Sequence, residues 1–295
     1  MSKNYTNTES SDLQVSIIND AAWVGFEIAK GLEEFGVRVS YLPRGRSFYG
    51  KTLKVFVNAI KSRGIKHVNY ALQDAFALRT IGKTIHVLHC HGTELFGLLD
   101  DRFKKESKDV SKWGWMVRGN IKAAKKVIVS TPDLLPLAQK IRDDVEYIHN
   151  PIDTQRFSPR DYENKKLRAV GFNLWYENVP NNLVYEMRKR GIEVNIFNKR
   201  PFSYQEINEV LKTYDIFIDR FTVSSLSKTC LESMSCGLAT IDYRHRDDPN
   251  GRIQELLDEN VRRREGRENR QTIIDTHDRT KVVKRLIEIY RDVSN

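Results

Sequence analysis

The sequence predicts an α/β protein of two Rossmann-like, doubly wound domains facing across a cleft. Short β-branched runs alternate with amphipathic helical segments from residue 13 to 293, the pattern of parallel strands joined by crossover helices. The alternation breaks once, at the polar, proline-containing stretch DTQRFSPRDYENKK (153–166), and then resumes. Ligands of such sheets bind at the carboxyl ends of the strands, so two facing domains form a natural small-molecule site.

In chain order, QVSIIND (14–20) reads as a strand. AAWVGFEIAKGLEEFG (21–36) reads as a helix whose apolar positions share one face, closed by Gly36. VRVSYLP (37–43) completes a β-α-β unit. Helix 52–64, strand 67–71, helix 74–82 and strand 84–92 follow, then helix 112–124, strand 127–131, helix 132–141 and strand 145–151. The first domain therefore spans 13–152, and 153–166 is the expected linker. In the second domain, 153–278, strands are expected at 167–172, 192–198, 215–221 and 238–243. Helices are expected at 179–191, 204–214, 228–237 and 251–264, and a last helix at 279–293.

Composition narrows the function classes. The 295 residues are 40% hydrophobic and 30% charged, as in a soluble globular protein. Residues 1–12 read as a disordered polar tail without the apolar core of a signal peptide. No apolar run approaches the roughly 20 residues that span a bilayer. Cys90, Cys230 and Cys236 form neither a disulfide framework nor a zinc pattern, which suits a reducing, cytoplasmic setting. The net charge of +10 favours an anionic partner: a phosphorylated small molecule, nucleic acid or an anionic membrane surface. Without an RNP-like aromatic motif or zinc-finger spacing, nucleic acid is not expected. The basic, aromatic stretch 102–118 reads as a solvated helix with core tryptophans or as a lipid contact.

Three stretches could carry chemistry. HCHGTELFG (89–97) leaves a strand at its carboxyl end, with His89 and His91 on one face and Gly92 permitting a tight exit. A histidine there acts as a base, bonds a sugar hydroxyl or packs in the core; with Glu94 the pair could also ligate a metal, though no helical HExxH spacing supports it. STPDL (130–134) reads as a helix cap by Ser130 or Thr131, with Pro132 at the first helical position. In SSLSKTCLESMSCGLATID (224–242), Ser224, Ser225 and Ser227 precede a helix carrying Lys228, Thr229 and Glu232. Free amides at a helix start suit phosphate, and a carboxylate one turn on can take a ribose diol. Lys228 and Glu232, at i and i+4, also fit a plain surface pair.

Taken in order, the His-Gly turn, STPDL, NPID-x-x-x-F (150–157), DIFID (215–219), LESMSCGLATI (231–241) and the tail TIIDTHDRTKVVKRLIEIYRDV (272–293) resemble the GT-B glycosyltransferases. The closest likeness is to glycosyltransferase family 4, over roughly residues 15–293. The resemblance implies a C-terminal helix (279–295) that crosses back to the N-terminal domain. It implies a sugar transfer, with retention and without an obligatory metal or other cofactor, from a nucleotide-diphosphate sugar to a hydroxyl of a glycan or lipid-phosphate acceptor. Glu232 would bind the donor ribose, the amides near Ser227 and Lys228 its diphosphate, and His91 the sugar, with Asn150 at the cleft. Asn19, Asp20, Gly92 and Glu94 would lie on the acceptor side. Two departures are visible. Ser224 stands where many members keep a glutamate, a role Asp219 could partly take. The usual GR-x-x-x-x-KG reads GFNLWYENVP (171–180), leaving Lys199, Arg200 or Arg220 to supply charge. The implied setting is cytoplasmic, including the inner membrane face. A nucleotide-sugar epimerase and a non-catalytic binding protein are the competing readings.

Overall fold

A computed structural model describes residues 12–44, 48–100, 103, 112–160, 164, 166–173, 179–199 and 201–294. The expected tail (apart from Asp12), most of the stretch 102–111 and Arg200 lie outside the described residues. The chain divides into two compact units, one of Met1–Pro151 with Arg279–Asn295, the other of Ile152–Asp278.

The first unit is a six-stranded parallel sheet: β1 (Gln14–Ile18), β2 (Arg38–Leu42), β3 (Ile65–Asn69), β4 (Val87–Cys90), β5 (Lys126–Val129) and β6 (Val145–Tyr147). Their order is β2-β1-β3-β4-β5-β6. Between them run α1 (Val24–Glu34), α2 (Phe48–Lys61), α3 (Gln73–Thr80), α4 (Thr93–Leu99), α5 (Gly114–Ala123) and α6 (Leu135–Gln139). Apart from His89 and Lys126, the strands β4 and β5 consist of buried apolar residues, because a parallel sheet is covered on both faces. Right-handed crossovers place α1 on one face and α2, α3 and α5 on the other, and α3 packs against both α2 and α5.

The second unit carries β7 (Arg168–Phe172), α7 (Asn181–Lys189), β8 (Glu193–Phe197), α8 (Ile207–Leu211), β9 (Ile216–Ile218), α9 (Lys228–Ser235), β10 (Ala239–Ile241), α10 (Pro249–Leu256) and α11 (Glu259–Thr276). Its four strands are parallel in the order β10-β9-β7-β8. The last helix, α12 (Arg279–Ser294), belongs to the first unit. Its Val283, Leu286 and Tyr290 are buried in one cluster with Ile17, Ile28 and Leu32. Gly31 lets α1 and α12 meet, since a Cβ there would lie 2.6 Å from Val283 Cγ2. Arg279 at the start of α12 pairs with the buried Glu27 at 2.8 Å.

The departures from the expected layout include a helix, α4, directly after β4 where none was expected, the run of α11 on to Thr276, and three further segments. The helix expected at 132–141 is a 3-10 turn over Pro132–Leu134 followed by α6; Thr131 begins it, but its hydroxyl donates to Asp133 (2.6 Å) and caps no amide. The helix expected at 251–264 is two helices, because the Asp258 carboxylate accepts the Asn260 N–H at 2.8 Å and starts α11 afresh. The described part of the expected linker (153–160, 164 and 166; the remainder lies outside the described residues) is folded into the second unit at its start. Phe157 is fully buried, and Arg270 of α11 donates to the carbonyls of Thr154 and Phe157.

Helix α11 reaches α9 through two glycines. A Cβ on Gly266 would lie 2.1 Å from the carbonyl oxygen of Gly237, which ends α9 at φ 79°. Backbone cannot yield as a flexible side chain can, so Gly266→Ala is expected to destabilise the second unit by about 2–3 kcal/mol. Urea unfolding of the variant measures this; a midpoint equal to that of the parent chain refutes it.

Candidate functional site

In the first unit, polar residues collect where β1, β3 and β4 end, and the backbone there is bent in unusual ways. Asn19, after β1, has φ 65°; Tyr70, after β3, has φ 83°; Gly92, after β4, has φ 120°. Left-handed backbone at bulky residues costs energy and is retained where the surroundings over-determine it. Here Asn19 and Asn69 bond reciprocally, each side-chain amide donating to the other's carbonyl (3.1 and 3.2 Å). The side-chain oxygen of Asn69 accepts from His91 Nε2 at 2.9 Å.

That bond sets the tautomer of His91. An amide oxygen only accepts, so Nε2 carries the proton and Nδ1 is left as an acceptor. Burial, with a contribution from His67, pushes the His91 pKa down to about 3. Of the roles left open for this residue, hydrogen bonding to a hydroxyl fits a ring that is neutral at ordinary pH. General-base work does not, because so weak a base holds a proton poorly at neutral pH.

Behind His91 lies a buried file of rings. His89 stacks on it at 4.1 Å between centroids, His67 Nε2 meets His89 Nδ1 at 3.3 Å, and His67 Nδ1 meets the Tyr290 hydroxyl of α12 at 2.7 Å. His67 and His89 have no solvent exposure, and burial depresses both, His67 to about 3.

Gly92 turns the chain so that Glu94 Oε1 accepts the His91 N–H at 2.9 Å. Burial raises the Glu94 carboxyl to about 7, against the pull of neighbouring amides. Its other oxygen has no hydrogen-bond partner among the described residues. Glu94 thus faces backbone instead of joining His89 and His91 as a ligand set; among the described residues no three His, Cys, Asp or Glu side chains converge on a metal position. Asp20 also serves the fold. Its carboxylate accepts the N–H groups of Gly25 (2.9 Å) and Phe26 (3.3 Å) at the start of α1 and the Tyr41 hydroxyl (2.6 Å). Asn150 is buried, with its amide on the Ser130 carbonyl at 3.2 Å.

In the second unit the corresponding strand ends carry the loop from Asp219 to Ser227 and the start of α9. Ser227 is the N-cap, accepting the Cys230 N–H at 3.1 Å. The Ser227 N–H, expected to meet a phosphate, is taken by Asp219 Oδ2 at 2.9 Å. A carboxylate gains from the positive end of a helix as a phosphate does, so this amide is already satisfied. Asp219 is fully buried, and burial raises its carboxyl above the usual range. Arg220 folds over the same loop, donating to the Ser225 carbonyl (3.2 Å) and hydroxyl (3.0 Å). Ser224 and Lys199 are exposed, while Ser225 and Thr229 are buried.

Lys228 and Glu232 are not a surface pair. Their side chains are 5% and 4% exposed and bonded to each other. Lys228 Nζ also donates to the Tyr204 hydroxyl (2.8 Å) and sits 4.6 Å from the centre of the Tyr204 ring. Tyr204 and Asn69 are the residues that the sequence did not single out. Asn69 left a trace: a polar residue at a strand end, two positions from His67 and so on its face. Tyr204 left none, since its partner is 24 residues away.

No protein-family model matches this sequence, and no curated protein matches it. Solved structures do. The chain is similar to sucrose-phosphate synthase from Thermosynechococcus elongatus, with a TM-score of 0.64 at 10% identity, over 95% of this chain and 99% of that one. It is similar to a glycosyltransferase from Rickettsia africae (TM-score 0.58, 12% identity, 95% and 98% of the two chains). It is also similar to the catalytic domain of starch synthase IV from Arabidopsis thaliana, a structure bound to ADP and acarbose (TM-score 0.56, 11% identity, 96% and 99%). At such identities the likeness is one of fold, and the fold is that of the GT-B glycosyltransferases.

Proposed function

We propose that the protein is a glycosyltransferase of the family 4 type, moving a sugar from a nucleotide-diphosphate donor to a hydroxyl of a glycan or lipid-phosphate acceptor, with retention and without a metal. The observation that carries this reading is the buried Glu232 one turn into α9, charged against Lys228, in a chain with the fold of known glycosyltransferases. A carboxylate so placed accepts two hydrogen bonds from a ribose diol, and charge-assisted bonds of that kind are the strong ones. Lys228 holds the carboxylate in place and, with Arg220, leaves the strand ends cationic toward a departing diphosphate. Asp219 acts by positioning the loop, through the Ser227 amide. In the first unit, the bare Nδ1 of His91 accepts from a sugar hydroxyl while Asn69 fixes the ring.

A thermal-shift panel of nucleotide diphosphates and nucleotide sugars tests the reading. A ligand at a hundred times its Kd adds about 2.7 kcal/mol to the folded state. Glu232→Gln keeps the volume and a bond to Lys228, and is expected to weaken the best ligand roughly 10- to 100-fold, the worth of a charged hydrogen bond. The reading fails if no nucleotide shifts the parent chain, or if Glu232→Gln binds as tightly.

One observation favours binding without transfer: Ser224 is exposed where many relatives keep a carboxylate. Donor breakdown in the presence of acceptors separates the two. A donor that binds but is never consumed supports the binding protein.

A further inference from the structure

Helices that cover a sheet need one apolar face, turned inward. Helix α2 has two. Val55 and Ala59 are buried in the unit, while Leu53, Phe56 and Ile60, at i, i+3 and i+7, form a second stripe turned to solvent. Leu53 and Ile60 are 70% and 65% exposed. The stripe continues onto the neighbouring elements. Ile81, where α3 ends, is exposed, and Lys83 just beyond it donates to the carbonyls of Ala59 (2.9 Å) and Ile60 (2.7 Å), tying the two helix ends together. On α5, Trp115 is 58% exposed with one edge against Phe76 of α3. Trp113 beside it is exposed too. Six of the seven large hydrophobic side chains exposed among the described residues therefore belong to α2, α3, α5 and their caps. These helices lie side by side on one face of one sheet.

The charge on this face has one sign. Lys54, Lys61, Arg118 and Lys122 are exposed on α2 and α5. The only carboxylate in the three helices is Asp74, which is buried against Arg44. A chain with 39 acidic residues thus places none on the outer surface of three adjacent helices. A surface made only to be soluble mixes both signs and keeps aromatic and aliphatic groups scattered. No described helix is long and apolar enough to cross a membrane.

We propose that the outer face of α2, α3 and α5 is a membrane-docking surface that lies on bilayers containing anionic lipid. Leu53, Phe56, Ile60 and Trp115 enter the boundary between headgroups and acyl chains, and the surrounding lysines and arginine meet the lipid phosphates. The occupant is a lipid surface because apolar anchors and exclusively positive charge occur on the same helices. A second copy of this chain would set lysines against lysines across the contact. This inference stands apart from donor binding, since its residues lie on another part of the first unit and none belongs to the second.

Co-sedimentation with vesicles tests it, using phosphatidylcholine alone and phosphatidylcholine mixed with phosphatidylglycerol. The parent chain is expected to sediment with the mixed vesicles and to remain in the supernatant with the neutral ones. Added salt should weaken the association without abolishing it, because part of the attraction is apolar. Leu53→Asp with Trp115→Asp is expected to weaken sedimentation at least roughly tenfold, while Lys54→Glu with Arg118→Glu weakens it by a similar factor. All four sites are exposed, so the variants should stay folded, with thermal midpoints within a few degrees of the parent chain despite the lost edge contact of Trp115 with Phe76, and any nucleotide-induced shift should be intact. Failure to sediment with anionic vesicles overturns the proposal, as does undiminished binding by the aspartate variant. A dimer in light scattering that the aspartate variant dissolves, with no vesicle binding, assigns the face to a second copy and also overturns it.

Discussion

Between pH 7 and pH 5 the first unit is expected to lose several kcal/mol of stability, and to unfold in acid while the second unit is still folded. The cause is the file of His67, His89 and His91. All three have pKa values depressed by burial, to about 3 for His67 and His91, against about 6.5 in an unfolded chain. The stability this confers is complete above the unfolded value. As pH falls from 6.5 toward 3, the unfolded chain binds three protons that the folded one refuses. Each uncompensated proton is worth about 1.4 kcal/mol per pH unit. Glu94 works the other way. Its pKa is raised to about 7, so the stability linked to it is complete below its unfolded value of about 4.5 and is lost as pH rises through 7. Asp74, also raised by burial, adds to that opposition. His86 and His149 of the same unit, half-buried and also depressed, add to the histidine side in weaker, solvent-screened measure. The histidines outnumber these carboxyls, so the net slope is about one to three protons from pH 6.5 to 4.5, and steeper once the unfolded carboxyls are protonated too. Stability should therefore peak near pH 6.5–7. Three of the four tryptophans (Trp23, Trp113 and Trp115) belong to this unit, so urea titrations followed by tryptophan fluorescence at two pH values read it directly. Equal midpoints at pH 7 and pH 5 would rule the account out.

Lys228→Met is expected to destabilise the second unit by about 3–5 kcal/mol, since it leaves the Glu232 carboxylate buried without its cation. Methionine fills much the same space beside Tyr204, so the loss is electrostatic and not a cavity effect. The double variant Lys228→Met with Glu232→Gln removes both charges and should recover most of the stability, because a buried ion pair contributes little beyond an apolar pair of equal volume. The double-mutant cycle in urea isolates the coupling. A single variant as stable as the parent chain would mean that the ion pair does not hold this helix. A double variant no better than the single one would locate the damage in packing against Tyr204.

The alternation of strands and helices was legible because parallel strands are buried on both faces and write themselves as short apolar runs between amphipathic helices. Boundaries set by a single side chain were harder to read. Asp258 restarts a helix through a bond to an amide two residues on, and nothing in the apolar period of 251–264 announces it. The linker misled for a related reason: one buried aromatic, Phe157, anchors a segment that is otherwise polar. Among the site residues, His91 and the Lys228–Glu232 pair stood out by motif, but the partners that hold His91 and Lys228 lay 22 and 24 residues away, in Asn69 and Tyr204. Roles divided within one short stretch were the least legible. Asp219 and the Ser227 amide both looked free for a ligand in the sequence, and in the folded loop each satisfies the other.

The first unit is interrupted in the chain, and this orders events at the ribosome. Residues 152–278 form a continuous unit that needs no later segment to complete its core. The first unit, although most of it is translated earlier, lacks Val283, Leu286 and Tyr290 until codons 283 to 290 are read. Until then Ile28 and Leu32 have no cover on that side, and His67 has no tyrosine hydroxyl to meet. Synthesis therefore leaves the earlier-made half waiting, with an open apolar seam, on the later one. A message truncated before codon 279 would yield a folded second unit tethered to a nascent sheet that chaperones and proteases can recognise.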